Sequence, residues 1–410
     1  MNAEIITIGD ELLLGQVVDT NSAWMGLQLA DIGISVTRRT AIGDNSNDIV
    51  KALDEAKSRV EIILLTGGLG PTRDDITKKT LANYYQCGYR IDEGVEAHLE
   101  EIFAKRGRKM LEVNKMQAEL PEICTTLFNE AGTAPGMLFD QNGIVIISMP
   151  GVPNEMQHIM EKRVLPWLPK RFSLPVILHK TMVTVGIPES LLADKLTMVE
   201  DSLPENIKLA YLPAYSSIRL RITAKGNDKN ALQIQLDIWY NKVMEICAEN
   251  LIAEGDVTPV QAIAKLLMAS KTSISLAESC TGGFITQQFV LNPGISAVLN
   301  GSIISYANEI KMQELGVPAE IFTTVGAVSE ACAKAMVEGC LRKFGTDVAI
   351  STTGIAGPAG ATDEKPVGLV YIGVANKENT IVKKMHFPGN REQFMLRVCN
   401  TAADLLRQVM

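Results

Sequence analysis

The chain has 410 residues, 46% of them hydrophobic and 21% charged, with a net charge of −8. That is material for about two to four packed domains, and it excludes a disordered or low-complexity chain. The acidic excess lies before Val257; from there on 13 Lys/Arg stand against 12 Asp/Glu. Neither part carries the basic stripe that phosphate-backbone binding requires, so no nucleic-acid partner is expected.

In chain order, strand patterns over 4–8, 35–40, 62–66 and 144–148 alternate with helical patterns over 21–32, 46–59 and 75–85. This alternation predicts βαβ units and a mostly parallel sheet in an α/β domain spanning 1–168. The prolines of Leu165-Pro166-Trp167-Leu168-Pro169 predict a break there. A small α+β module follows over 169–252, with strands at 177–185, 207–212 and 217–224 and helices at 189–200 and 230–249. The third segment, 257–410, opens with a helix (260–270) and a strand (273–277). It continues with a short β run ending at Tyr306 and strands at 348–352 and 368–375, and closes with a helix (391–409). The expected class is therefore multidomain α/β.

Seven scattered cysteines form no CxxC pair, and four histidines show no ligand spacing. A reduced, cytoplasmic setting without a zinc site is expected. No signal peptide or membrane-spanning run is visible; the apolar runs are strand-sized, far short of about 20 residues.

Two motifs of the first segment fall directly after predicted strands, the usual ligand edge of an open α/β sheet. One is Gly9-Asp10-Glu11-Leu12-Leu13-Leu14-Gly15, followed by Asp19-Thr20-Asn21. The other is Thr66-Gly67-Gly68-Leu69-Gly70-Pro71-Thr72, followed by Asp74-Asp75. Three glycines in four positions let backbone N–H groups approach a phosphate. Asp74 and Asp75 are oxygen donors suited to Mg²⁺ or another divalent ion, although either could instead cap the next helix. Pro150-Gly151-Val152-Pro153-Asn154-Glu155-Met156 forms a third such turn.

Together these motifs resemble the molybdopterin-binding-type (MoCF-like) domain of the CinA family. The resemblance implies a three-layer fold and, in some members, a divalent-metal-dependent pyrophosphatase that splits ADP-ribose, with Mg²⁺ or Co²⁺. It would line the site with Gly9, Asp10, Glu11, Asn21, Gly67, Gly68, Gly70, Asp74 and Asp75, with Asp44 as a further metal ligand. It also makes the middle segment a KH-like module. That module contains no GxxG, so a structural or dimer-forming role is expected rather than nucleic-acid binding. Arg219 and Arg221 alternate on one of its strands.

The sharpest chemical signal of the third segment is Ala277-Glu278-Ser279-Cys280-Thr281-Gly282-Gly283. A serine at a strand-to-helix turn sits where free N–H groups favour an attacking oxygen and its oxyanion. His386 is the one histidine of this segment, so a Ser-His-Asp triad depends on it alone. A lysine base is the alternative, with Lys311 the candidate and Tyr306 placed to hold or relay the proton. Thr353-Gly354-Ile355-Ala356-Gly357-Pro358 after another strand could hold a phosphate or oxyanion, and Arg391 or Arg397 could clamp one.

AESCTGG, SYANEIK, GAVSE, TTGIAGP and EKPVG together resemble the nicotinamide-nucleotide amidohydrolase domain that ends CinA proteins. This resemblance implies deamidation of nicotinamide mononucleotide without metal, in pyridine nucleotide salvage. Ser279 would be the nucleophile, with Tyr306 and Lys311 as its activating partners. Cys280, Thr281, Gly282, Gly283, Thr353, Gly354, Gly357, Arg391 and Arg397 would bind substrate. The loop after Pro358, Ala359-Gly360-Ala361-Thr362-Asp363, departs from the Gly/Asp-rich form usual there. A homodimer is expected from the family. A molybdopterin-handling enzyme and a non-enzymatic factor in DNA uptake or damage response are the competing readings.

Overall fold

Apolar runs such as Ile62–Thr66 and Ile144–Met149 are buried on both faces, the signature of central strands in an α/β sheet. In the computed structural model, which describes every residue but Arg73, they join a six-stranded sheet. Its order is Ser35–Ile42, Asn2–Ile8, Ile62–Thr66, Ile144–Met149, Gly136–Gln141, Thr125–Leu127. The first four strands are parallel and the last two antiparallel. Side-chain alternation divides the core in two. Ile5, Leu64 and Ile147 pack on one face with Met25 and Leu29. Ile6, Ile63, Leu65 and Ile146 pack on the other with Ile49 and Leu53. Helices therefore cover both faces, and all four expected parallel strands are present.

Two expectations for this region change. The proline-rich stretch does not break the chain: Leu165–Arg171 is helical, continuing from Pro153–Ile159 through a π-type turn at Met160–Val164. Pro166 cannot donate a backbone N–H within this continuous run, and the widened turn directly before it makes room for its ring. The antiparallel strands Gly136–Gln141 and Thr125–Leu127 and the separate antiparallel pair Tyr89–Ile91 with Glu119–Pro121 were not anticipated. Three-residue strands carry too little alternation to be read from sequence.

The chain separates into two compact units, residues 1–178 with 225–229, and residues 179–224 with 230–410. In the second, a four-stranded sheet runs Ile207–Ala214, Ser217–Gly226, Val176–Val185, Leu251–Glu254. Val183, Val185 and Ile252 from this sheet join the same apolar cluster as Ile263, Ile274 and Phe394 from the C-terminal segment. Arg407 reinforces the seam by donating to the carbonyls of Leu251 and Glu249, each at 3.0 Å.

The C-terminal sheet runs Leu299–Ile304, Ile274–Glu278, Val348–Gly354, Leu369–Asn376, Thr380–His386. The first three strands are parallel and the last two antiparallel. The helices Pro259–Ser270 and Arg391–Leu406 cover one face. Glu330–Phe344 and Asn308–Leu315 cover the other. On that second face the sheet presents Ala277, Ala349 and Ala375, so the helix Glu330–Phe344 lies close. The strand after Ala375 escaped the sequence reading because Lys383 and Lys384 interrupt its apolar pattern at the sheet edge.

Gly339 lets these two helices touch, since a Cβ there would collide with the Leu315 carbonyl. Gly339→Ala is therefore expected to destabilise the second unit by about 2 kcal/mol. A thermal melt would detect this as a lowered midpoint; an unchanged midpoint would refute the close packing.

Candidate active sites

Both candidate sites lie at the C-terminal edges of parallel strands. In the second unit, Ser279 follows the strand Ile274–Glu278 and is 9% exposed. Its backbone N–H donates to the Thr352 carbonyl at 3.0 Å on the adjacent strand, which fixes the turn against the sheet. Lys311, on the helix Asn308–Leu315, is 1% exposed and places Nζ 3.1 Å from Ser279 Oγ. The amine also donates to the carbonyls of Ser305 (2.6 Å) and Tyr306 (3.2 Å). No carboxylate among the described residues forms an ion pair with it. Burial lowers the Lys311 pKa from its ordinary value, because the charged form loses more solvation than the neutral one.

A neutral amine has two hydrogens and one lone pair. With the Ser305 and Tyr306 carbonyls taking the hydrogens, the lone pair is left for the Ser279 hydroxyl proton. The neighbouring thiol is a poor competitor, because burial pushes Cys280 up to about 12 and keeps it protonated. His386 bonds the Val367 carbonyl at 3.0 Å and does not line the Ser279 cavity.

Sequence reasoning treated the helix after Ser279 as a source of free N–H groups. The structure assigns most of them elsewhere. Glu278, fully buried, accepts from the N–H groups of Gly283 (3.0 Å), Ile285 (3.1 Å) and Thr286 (2.8 Å) and from the Thr286 hydroxyl (2.6 Å). Gly282 N–H is spent on the Ser279 carbonyl at 3.1 Å. The N–H groups of Cys280 and Thr281 have no partner among the described residues, and of these two residues Cys280 lines the cavity. A buried carboxylate needs such donors, and Glu278 as their acceptor was the signal in AESCTGG that the sequence reading passed over.

The cavity at Ser279 has a volume of about 250 Å³ and includes Cys280, Tyr306, Asn308, Lys311, Thr353, Gly354, Gly357 and Arg391. The expected relay through the Tyr306 phenol is not formed. Its backbone carbonyl holds Lys311 while the side chain is 63% exposed at the cavity, because Tyr306 lies beyond the end of the strand Leu299–Ile304. Arg391 donates Nε and Nη2 to the Gly357 carbonyl at 3.2 and 2.9 Å, bracing the glycine turn. Thr353 donates to the Ala327 carbonyl at 2.7 Å. Thr281 is buried against Thr352 (2.8 Å), and neither it nor Gly282 and Gly283 lines the cavity. Arg397 is also outside it, donating to the Pro388 carbonyl at 3.3 Å. The Lys311, Thr281 and Arg397 placements follow from tertiary packing, which sequence spacing does not encode.

In the first unit, a cavity of about 350 Å³ is lined by Gly9, Glu11, Asp44, Gly67, Gly68, Gly70, Asp74 and Asp75, with Gln117, Thr133 and Glu155. Gly67 (φ 115°) passes so close to the Ile8 carbonyl that a Cβ would collide with it. The N–H groups of Gly68, Leu69 and Gly70 have no partner among the described residues and so can meet an anion. Two residues anticipated there, Asp10 and Asn21, are not among those lining the cavity and act as braces. Asp10 and Asp44 cap one another's backbones, Asp10 N–H donating to Asp44 Oδ2 at 3.1 Å and Asp44 N–H to Asp10 Oδ1 at 3.3 Å. Asn21 donates to Thr66 Oγ1 (3.2 Å) and the Gly151 carbonyl (2.8 Å), tying two loops together. Asp75 accepts from Thr72 N–H at 2.8 Å, closing its own turn.

Burial, then the charges of Asp10, Glu11 and Asp74, raises the Asp44 pKa. Among the described residues no cation pairs with these acids, and the charge fits a bound cation. Among the described residues, no three His, Cys, Asp or Glu side chains converge as a preformed metal cage. The fit is to an ion of the Mg²⁺ type, which takes one or two carboxylates and draws its remaining ligands from water and phosphate. Gln117 and Glu155 were not anticipated, since nothing in their local sequence marks a cleft. Among the described residues, no helix is long and apolar enough to cross a membrane.

Comparison with known proteins follows the same order along the chain. Residues 4–170 match the family described as "Probable molybdopterin binding domain", 179–253 the "Damage-inducible protein CinA KH domain", and 257–410 the "CinA C-terminal domain". The crystal structure of competence/damage inducible protein CihA from Agrobacterium tumefaciens is 34% identical over 37% of this chain and 96% of its own, with a TM-score of 0.36. A CinA-like protein of Cytophaga hutchinsonii is 40% identical over 99% of this chain and 97% of its own length. Another, of Flavobacterium psychrophilum, is 40% identical over 99% and 98%. With that identity sustained from end to end and three matched domains in a single order, the chain belongs to the CinA family.

Proposed function

We propose that the second unit is a serine amidohydrolase that converts nicotinamide mononucleotide to nicotinic acid mononucleotide and ammonia. The observation that carries this reading is the buried Lys311 amine 3.1 Å from Ser279 Oγ, with two backbone carbonyls on its remaining valences. The pyridine carboxamide is the substrate implied by resemblance to the nicotinamide-nucleotide amidohydrolases. The cavity's glycine turn and Arg391 are compatible with its 5′-phosphate.

Neutral Lys311 removes the Ser279 proton as Oγ attacks the carboxamide carbon. The N–H group of Cys280, which lines the cavity, receives the developing oxyanion. Lys311 returns the proton to the amide nitrogen, the C–N bond breaks, and ammonia leaves an acyl-serine. Water, deprotonated by the same lysine, then cleaves the ester to the carboxylate and restores the Ser279 hydroxyl.

A second reading concerns the first unit, where Gly68–Gly70, whose N–H groups are unpartnered among the described residues, line one cavity with Glu11, Asp44 and Asp74. This favours a diphosphate substrate, and the family resemblance names ADP-ribose; a molybdopterin-type ligand is the alternative occupant. Asp44 and Asp74 would hold a divalent ion, which would supply charge neutralisation at the phosphates and an activated water. The protein's own part is to bind the diphosphate on the glycine turn and to orient it. Both readings concern small molecules and compete with a non-enzymatic role in competence or damage response.

Ser279→Ala should abolish ammonia release from nicotinamide mononucleotide, and Lys311→Met should lower it by about 10²- to 10⁴-fold; full activity in either variant sinks the mechanism. Because the base must be neutral, kcat/KM should rise with pH and level off above the lowered Lys311 pKa. The acid limb is then expected below 10.5, the ordinary lysine value; a limb at or above it would contradict the assignment. Glu278→Gln leaves an NH₂ facing backbone donors, so a loss of about 2 kcal/mol in stability is expected, with lowered kcat; calorimetry and kinetics would read both. EDTA should stop ADP-ribose hydrolysis and spare the deamidation, and Asp44→Asn should slow the former about 10- to 100-fold. Metal-independent hydrolysis of ADP-ribose would refute the second reading.

A further inference from the structure

The cavity of the first unit contains a buried side chain that neither its phosphate-facing glycines nor its acids explain. Gln117, in the short helical turn Met116–Ala118, lines that cavity and is only 4% exposed. Its Nε2 and Oε1 are both shielded and both lack a hydrogen-bond partner. Buried amides are normally paired, and no other described residue lining this cavity has a shielded side-chain polar atom without a partner. The neighbouring Glu155 is already engaged, accepting from Asn129 at 2.6 Å.

A primary carboxamide offers a donor and an acceptor side by side. Its complement is a planar edge with an N–H next to a ring nitrogen or carbonyl acceptor, as in the pairing of Gln with adenine. The amide can turn over, so either order is read, provided both groups are present and adjacent. A phosphate offers acceptors alone, and the hydroxyls of a ribose, which can both donate and accept, stand on a puckered ring rather than in the plane of an amide.

We infer that Gln117 is the base-reading residue of the first unit, pairing with the donor–acceptor edge of a heterocycle such as adenine or a pterin whose phosphates lie on the Gly67–Gly70 turn. This rests on the reading of that cavity as a site for diphosphates. It predicts selectivity for heterocycles that carry the edge, because an analogue without it leaves the buried amide unpaired.

The test measures binding to the full-length protein by calorimetry with Mg²⁺ present. The ligands are ADP-ribose, the same molecule with purine lacking its 6-amino group, and 6-hydroxymethylpterin diphosphate. The parent should prefer ADP-ribose, or the pterin, over the deaminated analogue by about 10- to 100-fold. Gln117→Leu should erase that preference by weakening the edge-bearing ligand while leaving the analogue within about twofold. The isosteric Gln117→Glu, which retains acceptors and loses the donor, guards against a folding defect and should erase it too. A parent that binds the pterin but neither binds nor hydrolyses ADP-ribose, with the same dependence on Gln117, upholds the inference while the pyrophosphatase reading falls. A parent that hydrolyses ADP-ribose, with both variants retaining its preference, overturns the inference and leaves that reading standing. Failure of the parent to bind any of the three overturns the inference.

Discussion

A lysine amine can be buried only if its hydrogens find acceptors and its charge is shed or compensated. Around Lys311 the described residues supply two backbone carbonyls and a serine hydroxyl, and no carboxylate among them forms an ion pair with it. Much of the second unit's architecture serves that arrangement. The strand Ile274–Glu278 delivers Ser279, and the helix Asn308–Leu315 delivers Lys311. Gly339 allows the helix behind to press against the end of the one bearing Lys311. Burial lowers the lysine's proton affinity and also removes Cys280 from competition by raising its own. A single desolvated pocket thus favours the serine in two ways.

Glu278 changes the meaning of the helix that follows. A helix N-terminus next to a nucleophile invites the reading that its dipole serves the oxyanion. Here a buried carboxylate from the same motif consumes those donors. It holds the turn rigid and leaves two N–H groups, those of Cys280 and Thr281, outside its grasp. The rigidity matters because a loosely held nucleophile loses the benefit of orientation.

The first unit uses the same sheet edge with opposite electrostatics. Its glycine turn can reach the ligand only because Gly67 passes the Ile8 carbonyl without a side chain. In the same cavity, the charges of Asp10, Glu11 and Asp74 act on Asp44, which makes the cleft strongly acidic. The same kind of sheet edge therefore carries a buried lysine–serine pair in one unit and an acidic, glycine-lined cleft in the other. Local side chains, rather than the sheet, decide between them.

By itself, the sequence determined the parallel strands and their helices, because continuous apolar runs and 3.6-residue periodicity are local properties. It also located the glycine turns and the serine at strand ends, since strand-to-loop transitions are punctuated by residue type. Short edge strands such as Thr125–Leu127 were illegible, being too brief for a period, and the helical prolines 166 and 169 misled because a π-type turn upstream accommodates them. Only the tertiary structure decided that the Tyr306 carbonyl, rather than its phenol, meets Lys311, that Glu278 takes the helix donors, and that Arg397 points away from the cavity. Gln117 belongs to the same class: its position in a cleft is set by residues far away in the chain. Periodicity records which face of an element is buried. Which polar group meets which is settled by packing between elements distant in sequence, and no local pattern carries that information.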